Sequence, residues 1–574
     1  MRSIMHINKR NLVSKILINP SSEIELHARI EESDSWKHRS LTLYCIIERV
    51  EPMATKTINE LLHTAVARYG ERTALIEPEE GAKMTSVTYS DLLEQVHRFA
   101  GFLQVEKLER GDRILLWSAS RVNWMVAYLG ALLIGAVIVP LDINSKEDFL
   151  SRIEESTEAK YVITTQKQYD GLKQPHAPLI NIDVLPQRTL DMTALPEIHG
   201  SDLAELVFTS GTTGQPKGVM LSHLNITSDA TIAVAVVNIR KDDCALSILP
   251  LSHMFELTIE LALLHSGASV VYAHTLSPDT LLKLFASQHV TCMVLVPQAL
   301  QLFLNGIERQ VRQQKKEKQW EALHRLAARL PFRFRRVLFR QVHQRFGGHF
   351  RFFVSGGAYL PPNLHKRWEH MGFRVLQRYK ATECAPVVSV TPFNEHMYDS
   401  IGKPLPGVEV RIAEDGELLV KGPNVALGYW KNPEATAAAF ENGWYHTGDL
   451  GYRDGKGNLY LKGRKKNLIV LANGLNVYPE DIENVLLTDP IVRDAVVFGL
   501  MEGDEGPYVH GVLLMDDADK AKTAIQQANK QLASHQQVRG FTVWPEEDFP
   551  RTHTLKVKRP EVLEKLQAMR SEVQ

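Results

Sequence analysis

Short apolar runs recur along this chain, each separated from the next by a segment with helical periodicity. Arg113–Trp117, Ala136–Leu141, Lys160–Thr164, Ser269–Ala273 and Met293–Val296 are the clearest. A strand that is apolar on both faces needs cover on both, and helices alternating with strands supply it. From Met53 to about residue 430 the alternation predicts βαβ units in parallel sheets. At ~100–200 residues per domain, a chain of 574 residues holds several domains or subdomains and an ample core.

Trp124–Leu141 runs 18 residues without a charge, the lower limit for a membrane span. A better reading divides the run. Asn123–Ile134 is a buried helix, Gly135 its stop, and Ala136–Pro140 a core strand. The formal net charge of −1 gives no general case for a nucleic-acid partner. The four cysteines, Cys45, Cys244, Cys292 and Cys384, are scattered and form no CxxC pair, which argues against a zinc ribbon or a disulfide framework and fits a reducing cytosol.

Residues 1–52 differ from the rest of the chain. Their first 22 residues carry Arg2, Lys9, Arg10 and Lys15 with no acid and no continuous apolar stretch, so a secretory signal is not expected. A transit peptide or translated non-coding sequence would look alike here. The segment is expected to contribute no catalytic group and to pack weakly. The domain is expected to open after Met53, with the helical pattern Ile58, Leu61, Leu62, Ala65, Val66.

The apolar run Leu203, Leu206, Val207, Phe208 empties into Thr209, Ser210, Gly211, Thr212, Thr213, Gly214, Gln215, Pro216, Lys217 and Gly218. Glycines let backbone N–H groups turn toward one point, hydroxyls add donors and a lysine adds charge, which is how a chain cradles phosphate. The order is not that of a Walker A loop, because Pro216 precedes Lys217 and Gly218 follows it. Loops of this composition also serve as plain turns.

The ordered string from Leu206 to His223 resembles the phosphate loop of the adenylate-forming superfamily of acyl-CoA synthetases, luciferases and peptide-synthetase adenylation domains. Further motifs occur in the order that family has. Ser355-Gly356-Gly357-Ala358 resembles its adenine-binding turn, and Tyr379-Lys380-Ala381-Thr382-Glu383 its Tyr-Gly-x-Thr-Glu segment. Trp444 to Asp449 resembles the ribose-binding segment, Gly463 to Asn467 the hinge between two domains, and Gly474 to Pro479 the glycine segment of the CoA tunnel. Pro550-Arg551-Thr552 leading to Lys556 and Arg559 resembles the catalytic-lysine motif. The match spans roughly residues 57–560.

The resemblance implies a large N-terminal α/β domain with two mostly parallel sheets and a small β subdomain near Ile401–Lys462. A hinge at Lys466 then leads to a smaller α+β C-terminal domain over 466–574. In that last part the pattern predicts helices Glu480–Leu487 and Ala518–Ser534 and strands near Ala495–Leu500 and Val509–Met515. The implied reaction joins a carboxylic acid to CoA with ATP and Mg²⁺. Lys556 would bridge carboxylate and α-phosphate, with Lys558 as the competing position. Glu383 and Thr209 would hold Mg²⁺, Thr382 would meet the α-phosphate, and Tyr379 would flank adenine. Asp449 and Arg464 would bind the ribose, His253 would gate the acyl site, and Gly474 would let pantetheine pass.

Three positions depart from the family pattern: Lys380 and Leu555 stand where glycine is usual, and Asn467 where an acid is. Two other readings stay open: transfer to a carrier-protein thiol, and a non-catalytic acyl or nucleotide binder. Arg309–Arg345 carries twelve Lys/Arg against two Glu, interleaved with Phe332, Phe334, Leu338 and Phe339. A solvated helical insert and a peripheral contact with anionic lipid both fit it. An insert here resembles the long-chain fatty acyl branch, so the expected partners are a fatty acid, ATP and CoA in the cytoplasm. Oligomeric state is not legible.

Overall fold

A computed structural model describes residues 12–19, 22–28, 45–46, 56–78, 83–173, 176–209, 216–275, 277–489, 491–501, 506–551 and 557–571. Residues 1–55 and 56–574 are two separate units. In the first, strands Leu12–Asn19, Ser22–Ala28 and Cys45–Ile46 pair as an antiparallel sheet, which the sequence pattern did not lead us to expect.

The second unit opens with helix Ile58–Tyr69. Thr57 Oγ1 accepts from the Glu60 N–H at 3.1 Å while Glu60 Oε2 accepts from the Thr57 N–H at 3.2 Å, a reciprocal cap that satisfies two otherwise orphan donors. Ile58, Leu61, Leu62 and Ala65 are buried, one helical stripe.

Two large sheets make up most of this unit. The first runs Gly428–Tyr429, Lys217–Ser222, Leu203–Thr209, Val137–Leu141, Arg113–Trp117, Tyr161–Thr164, Leu179–Asn181, and is parallel from Leu203–Thr209 onward. The second has nine strands, with a parallel centre of Arg374–Lys380, Phe352–Ser355, Cys292–Leu295, Cys244–Ser247, Ser269–Tyr272 and Thr73–Pro78. Side chains alternate between faces along each strand. Ile114 and Leu116 join the core between the sheets, whereas Leu115 and Trp117 face an outer layer with helix Glu147–Thr157. Cys292 and Val294 likewise face inward, and Met293 and Leu295 outward. Helices Ile58–Tyr69, Tyr89–Val105, Val122–Leu133, His223–Val237 and Met254–Ser266 pack on one another and on both sheets, forming the shared central layer.

Val122–Leu133 explains the uncharged run. It is buried almost all round, with Trp124 and Tyr128 stacked at 5.4 Å, and Gly135 (φ +79°) turns the chain into strand Val137–Leu141. Among the described residues no helix is long and apolar enough to cross a membrane. The thiols of Cys244, Cys292 and Cys384 are free and buried.

The β subdomain is an antiparallel sheet of Glu409–Ile412, Glu417–Lys421, Trp444–Arg453, Phe440–Glu441 and Leu459–Arg464. It starts later than expected, because Lys403–Pro404 pairs with Val387–Val390 and so extends the second large sheet. Beyond it, helix Pro479–Leu486 packs on strands Val492–Met501, Pro507–Met515 and Gly540–Val543. The helix expected over Ala518–Ser534 is shorter. A 3₁₀ turn at Ala518–Lys520 leads into Ala521–Asn529, whose buried Ala521, Ala524, Ile525 and Ala528 complete the apolar stripe.

Candidate functional site

Thr209, Gly356, Gly357, Ala358, Tyr379, Thr382 and Glu383 lie at or just beyond the carboxyl ends of parallel strands, where open α/β sheets bind ligands. Thr209 ends strand Leu203–Thr209 and pairs in register with Lys217, its Oγ1 donating to the Lys217 carbonyl at 3.5 Å. This pair closes the base of the loop. Ser210, Gly211, Thr212, Thr213 and Gly214 lie outside the described residues. The Lys217 ammonium sits 5.0 Å from the Tyr429 ring centroid, within cation–π range. Tyr429, on the adjoining edge strand, donates its hydroxyl to Glu383 Oε1 at 2.9 Å. Burial and the nearby Glu383 carboxylate push the Tyr429 phenol up, so it stays a donor. A loop lysine, an aromatic ring and the candidate metal carboxylate thus form one chain of contacts.

Glu383 lies in a 3₁₀ turn, Thr382–Cys384, directly after strand Arg374–Lys380. The Ala426 N–H donates to the Glu383 carbonyl at 2.9 Å, and Asn424 Nδ2 donates to the Cys384 and Val387 carbonyls at 3.0 and 2.8 Å. The Ala385–Pro386 peptide in this stretch is cis. These bonds fix the turn although Lys380 occupies a usual glycine position.

A second group adjoins it. Asp449 is 5% exposed, and its Oδ2 accepts from the Tyr379 hydroxyl at 2.5 Å while Oδ1 accepts from Arg464 Nε at 2.7 Å. Its own N–H donates to Thr447 Oγ1 at 3.0 Å, and that hydroxyl donates to the Leu418 carbonyl at 2.7 Å. Asp449 and Arg464 are register partners in the β subdomain, which explains how residues fifteen apart meet. Burial, then Asp449, pushes the Tyr379 phenol well up. The ring expected to flank adenine is itself buried, with its hydroxyl committed to Asp449. Partial burial works against the Arg464 charge, but Asp449, Tyr379, Tyr445 and Glu383 more than offset it and raise its pKa. Glu383 and Asp449 therefore share a neighbour.

Gly356, Gly357 (φ +87°) and Ala358 follow strand Phe352–Ser355, with the Gly356 N–H donating to the Leu295 carbonyl at 3.3 Å. His253 precedes helix Met254–Ser266, and its Nε2 lies 3.7 Å from Asp142 Oδ2 at the end of strand Val137–Leu141.

In the C-terminal part, Lys466 sits in the 3₁₀ turn Lys465–Asn467 that joins strand Leu459–Arg464 to Ile469–Val470. Desolvation and the neighbouring Arg464 and Arg559 lower its pKa. Gly474 (φ +79°) turns the hairpin between Ile469–Val470 and Asn476–Val477, and a Cβ there would face open space. Its conformation, not its packing, asks for glycine. Lys556 lies outside the described residues; on either side of it Arg551 and Val557 form a bridge, and the Lys558 N–H donates to the Pro550 carbonyl at 2.8 Å. Arg559 anchors the far side through Glu483 at 2.5 Å. Lys558 is half-buried and bonded to Glu561 at 2.7 Å.

Sequence reasoning missed Tyr429, which nothing in one sequence sets apart from core aromatics, and it gave Thr447 no role beyond its place in the Trp444–Asp449 segment. Among the described residues no cluster of three or more His, Cys, Asp or Glu could hold a metal.

The sequence profile of the AMP-binding enzyme family matches residues 62–430, and that of the AMP-binding enzyme C-terminal domain matches 466–569. The chain is 30% identical over 551 residues to a long-chain-fatty-acid–CoA ligase, FadD15, of Mycobacterium bovis, covering 84% of this chain and 91% of that one. ATP-bound MatB from Rhodopseudomonas palustris superimposes with TM-score 0.73 at 25% identity, covering 89% of this chain and 99% of that one. O-succinylbenzoate coenzyme A synthetase from Bacillus subtilis, in complex with ATP and magnesium ion, gives TM-score 0.70 at 26% identity over 87% and 98% of the two chains. With profiles covering most of its length, this chain belongs to the AMP-binding enzyme family, the adenylate-forming ligases that include acyl- and aryl-CoA ligases.

Proposed function

We propose that this protein is an ATP- and Mg²⁺-dependent ligase that joins a fatty acid to CoA. The observation that carries the reading is the convergence of Lys217, Tyr429 and Glu383 beside the Tyr379–Asp449–Arg464 group. One set suits a triphosphate and the other a ribose. A carboxylate is a poor electrophile. Its oxygen attacks the α-phosphorus of ATP, pyrophosphate leaves, and the acyl-AMP anhydride is then opened by the CoA thiol with loss of AMP. Charge builds on oxygen in both steps, so fixed cations and donors dominate the rate.

In this reading the 209–217 loop and Lys217 hold the phosphates, and Thr382 meets the α-phosphate. The Gly356–Ala358 turn borders adenine, and Asp449 and Arg464 take the ribose hydroxyls. Glu383 and Thr209 offer the hard oxygen donors that Mg²⁺ prefers, and the ion supplies charge neutralisation on the phosphates. Lys556 stabilises the adenylation transition state, His253 gates the acyl entrance, and Gly474 lets pantetheine run close to backbone. Lys466 is the pivot on which residues 466–574 swing between half-reactions. Residues 1–52 take no part, so a chain beginning at Met53 should keep the full chain's kcat.

Fatty-acid specificity is supported by the long-chain relatives and by the insert. Within the insert, Phe334 and Val337 are 48% and 71% exposed among exposed Arg325, Arg329, Arg333 and Arg340. Basic and apolar groups together suit contact with anionic lipid. A panel of carboxylic acids with ATP, with and without CoA, tests the whole reading. AMP and pyrophosphate should form with a fatty acid, and acyl-CoA when CoA is added. ADP and phosphate as products would rule it out.

A further inference from the structure

Strand Arg374–Lys380 divides its side chains between two faces. Tyr379 reaches Asp449 on one face. Arg378 and Lys380 occupy the other, against the Gly356–Gly357 turn and the start of helix Met254–Ser266. A Cβ on Gly356 would fall 2.9 Å from Arg378 Cγ and 3.0 Å from its Nε. One on Gly357 would fall 3.6 Å from Lys380 Cε and 3.7 Å from Val296 Cγ1. Arg378 Cζ lies 3.1 Å from the Phe255 ring centroid, and Lys380 Nζ lies 5.6 Å from it.

Arg378 is 3% exposed, and its Nε, Nη1 and Nη2 have no hydrogen-bond partner among the described residues. A guanidinium carries five N–H donors in a planar fork, and a buried charge without partners is among the most costly arrangements a fold can hold. The carboxyls in electrostatic reach of it, Asp229 and Glu256, do not fill that fork. Asp229 Oδ2 accepts from the Val387 N–H at 2.8 Å, and its Oδ1 and Glu256 Oε2 are themselves without a partner among the described residues. Burial pushes both carboxyls up, Glu256 to about 8, which favours their uncharged forms, and it also lowers the Arg378 pKa, to about 9. Arg378 and Lys380 thus give the face beside the turn two basic side chains.

We propose that Arg378 and Lys380 read a second carboxylate on the substrate, so that the preferred acids are dicarboxylic. The planar fork of arginine matches a carboxylate through two parallel N–H···O bonds, and the lysine adds a point charge. This deepens the ligase reading and rests on its placement of the acyl entrance at His253, two residues before Phe255.

The test uses the full chain with ATP, Mg²⁺ and CoA. Saturated monocarboxylic acids and α,ω-dicarboxylic acids of matched carbon number are compared by AMP and pyrophosphate release. The dicarboxylic acid should show the higher kcat/KM by about tenfold or more, the scale of one hydrogen bond between charged groups. Arg378→Met and Lys380→Met should each shift that ratio toward the monocarboxylic acid with the KM for ATP unchanged. Should Arg378→Met not fold, the half-buried Lys380→Met carries the same comparison. AMP formation with a monocarboxylic preference at every length, or a ratio unmoved by Lys380→Met, overturns this inference and leaves the ligase reading standing. Absence of AMP with every acid overturns the ligase reading itself.

Discussion

The Tyr379 hydroxyl and Asp449 are locked together at 2.5 Å, with Arg464 held on the other oxygen of the same carboxylate. Asp449 is therefore oriented from a core strand and from its own ladder partner at once. Tyr379→Phe removes one charge-assisted hydrogen bond and leaves the ring packing intact. The expected result is a rise of about tenfold in the KM for ATP, the scale of one such bond. An unchanged KM with only a lower Tm would mean that the contact merely supports the fold.

Tyr429 does the same for Glu383. Tyr429→Phe frees the carboxylate from its 2.9 Å hydrogen bond while keeping the ring under Lys217. The Mg²⁺ concentration needed for half-maximal rate should rise several-fold, with little effect at saturating Mg²⁺. Titration of the rate against Mg²⁺ checks this, and an identical curve for the variant refutes it.

For the lysine loop, Lys556→Ala should slow adenylation by roughly 10²–10³, as for the loss of one transition-state donor. Thioester formation from supplied acyl-AMP should survive. Lys558→Ala should change neither, since its ammonium is bonded to Glu561 at the start of the last helix. The reverse pattern would move the role to Lys558.

Glu260 gives a pH prediction. Its carboxyl is 2% exposed and accepts from the Tyr272 hydroxyl, and burial pushes its pKa from 4.5 to about 8. Between those values the folded chain holds a proton that the unfolded chain has lost, so this group's contribution to stability is full below pH 4.5 and declines as pH rises toward 8. Glu260→Gln keeps the acceptor for Tyr272 and removes the titration. Its Tm relative to the parent chain should increase from about pH 5.5 to about pH 8.5. A pH-independent difference in Tm would show that Glu260 does not titrate in this window.

The insert should bind vesicles only when they contain anionic lipid, and added salt should weaken the binding. Phe334→Asp with Val337→Asp should abolish it without altering kcat on a short soluble acid. Binding to neutral vesicles of equal strength would refute the electrostatic part.

The linear chain determined which groups are available and in what order: the strand runs, the turn before Glu383, the Asp449 segment, and the uncharged run of Trp124–Leu141 as helix plus strand. Periodicity and turn chemistry are local, so they survive without a fold. Some local signals were still passed over: Glu23-Ile24-Glu25-Leu26 alternates as a strand should, and it lies in strand Ser22–Ala28. Pairings between distant segments are another matter. Lys403–Pro404 joins a large sheet, not the β subdomain, because Val387–Val390 had an edge to fill. Tyr429 reaches Glu383 only because strand Gly428–Tyr429 caps the first sheet beside the end of the second. Whether Arg378 is one more surface charge or a buried fork also depends on what lies across from its strand. The residues that fill that face, Phe255, Glu256 and the Gly356–Gly357 turn, come from elements a hundred or more and about twenty positions away, and tertiary packing alone brings them there.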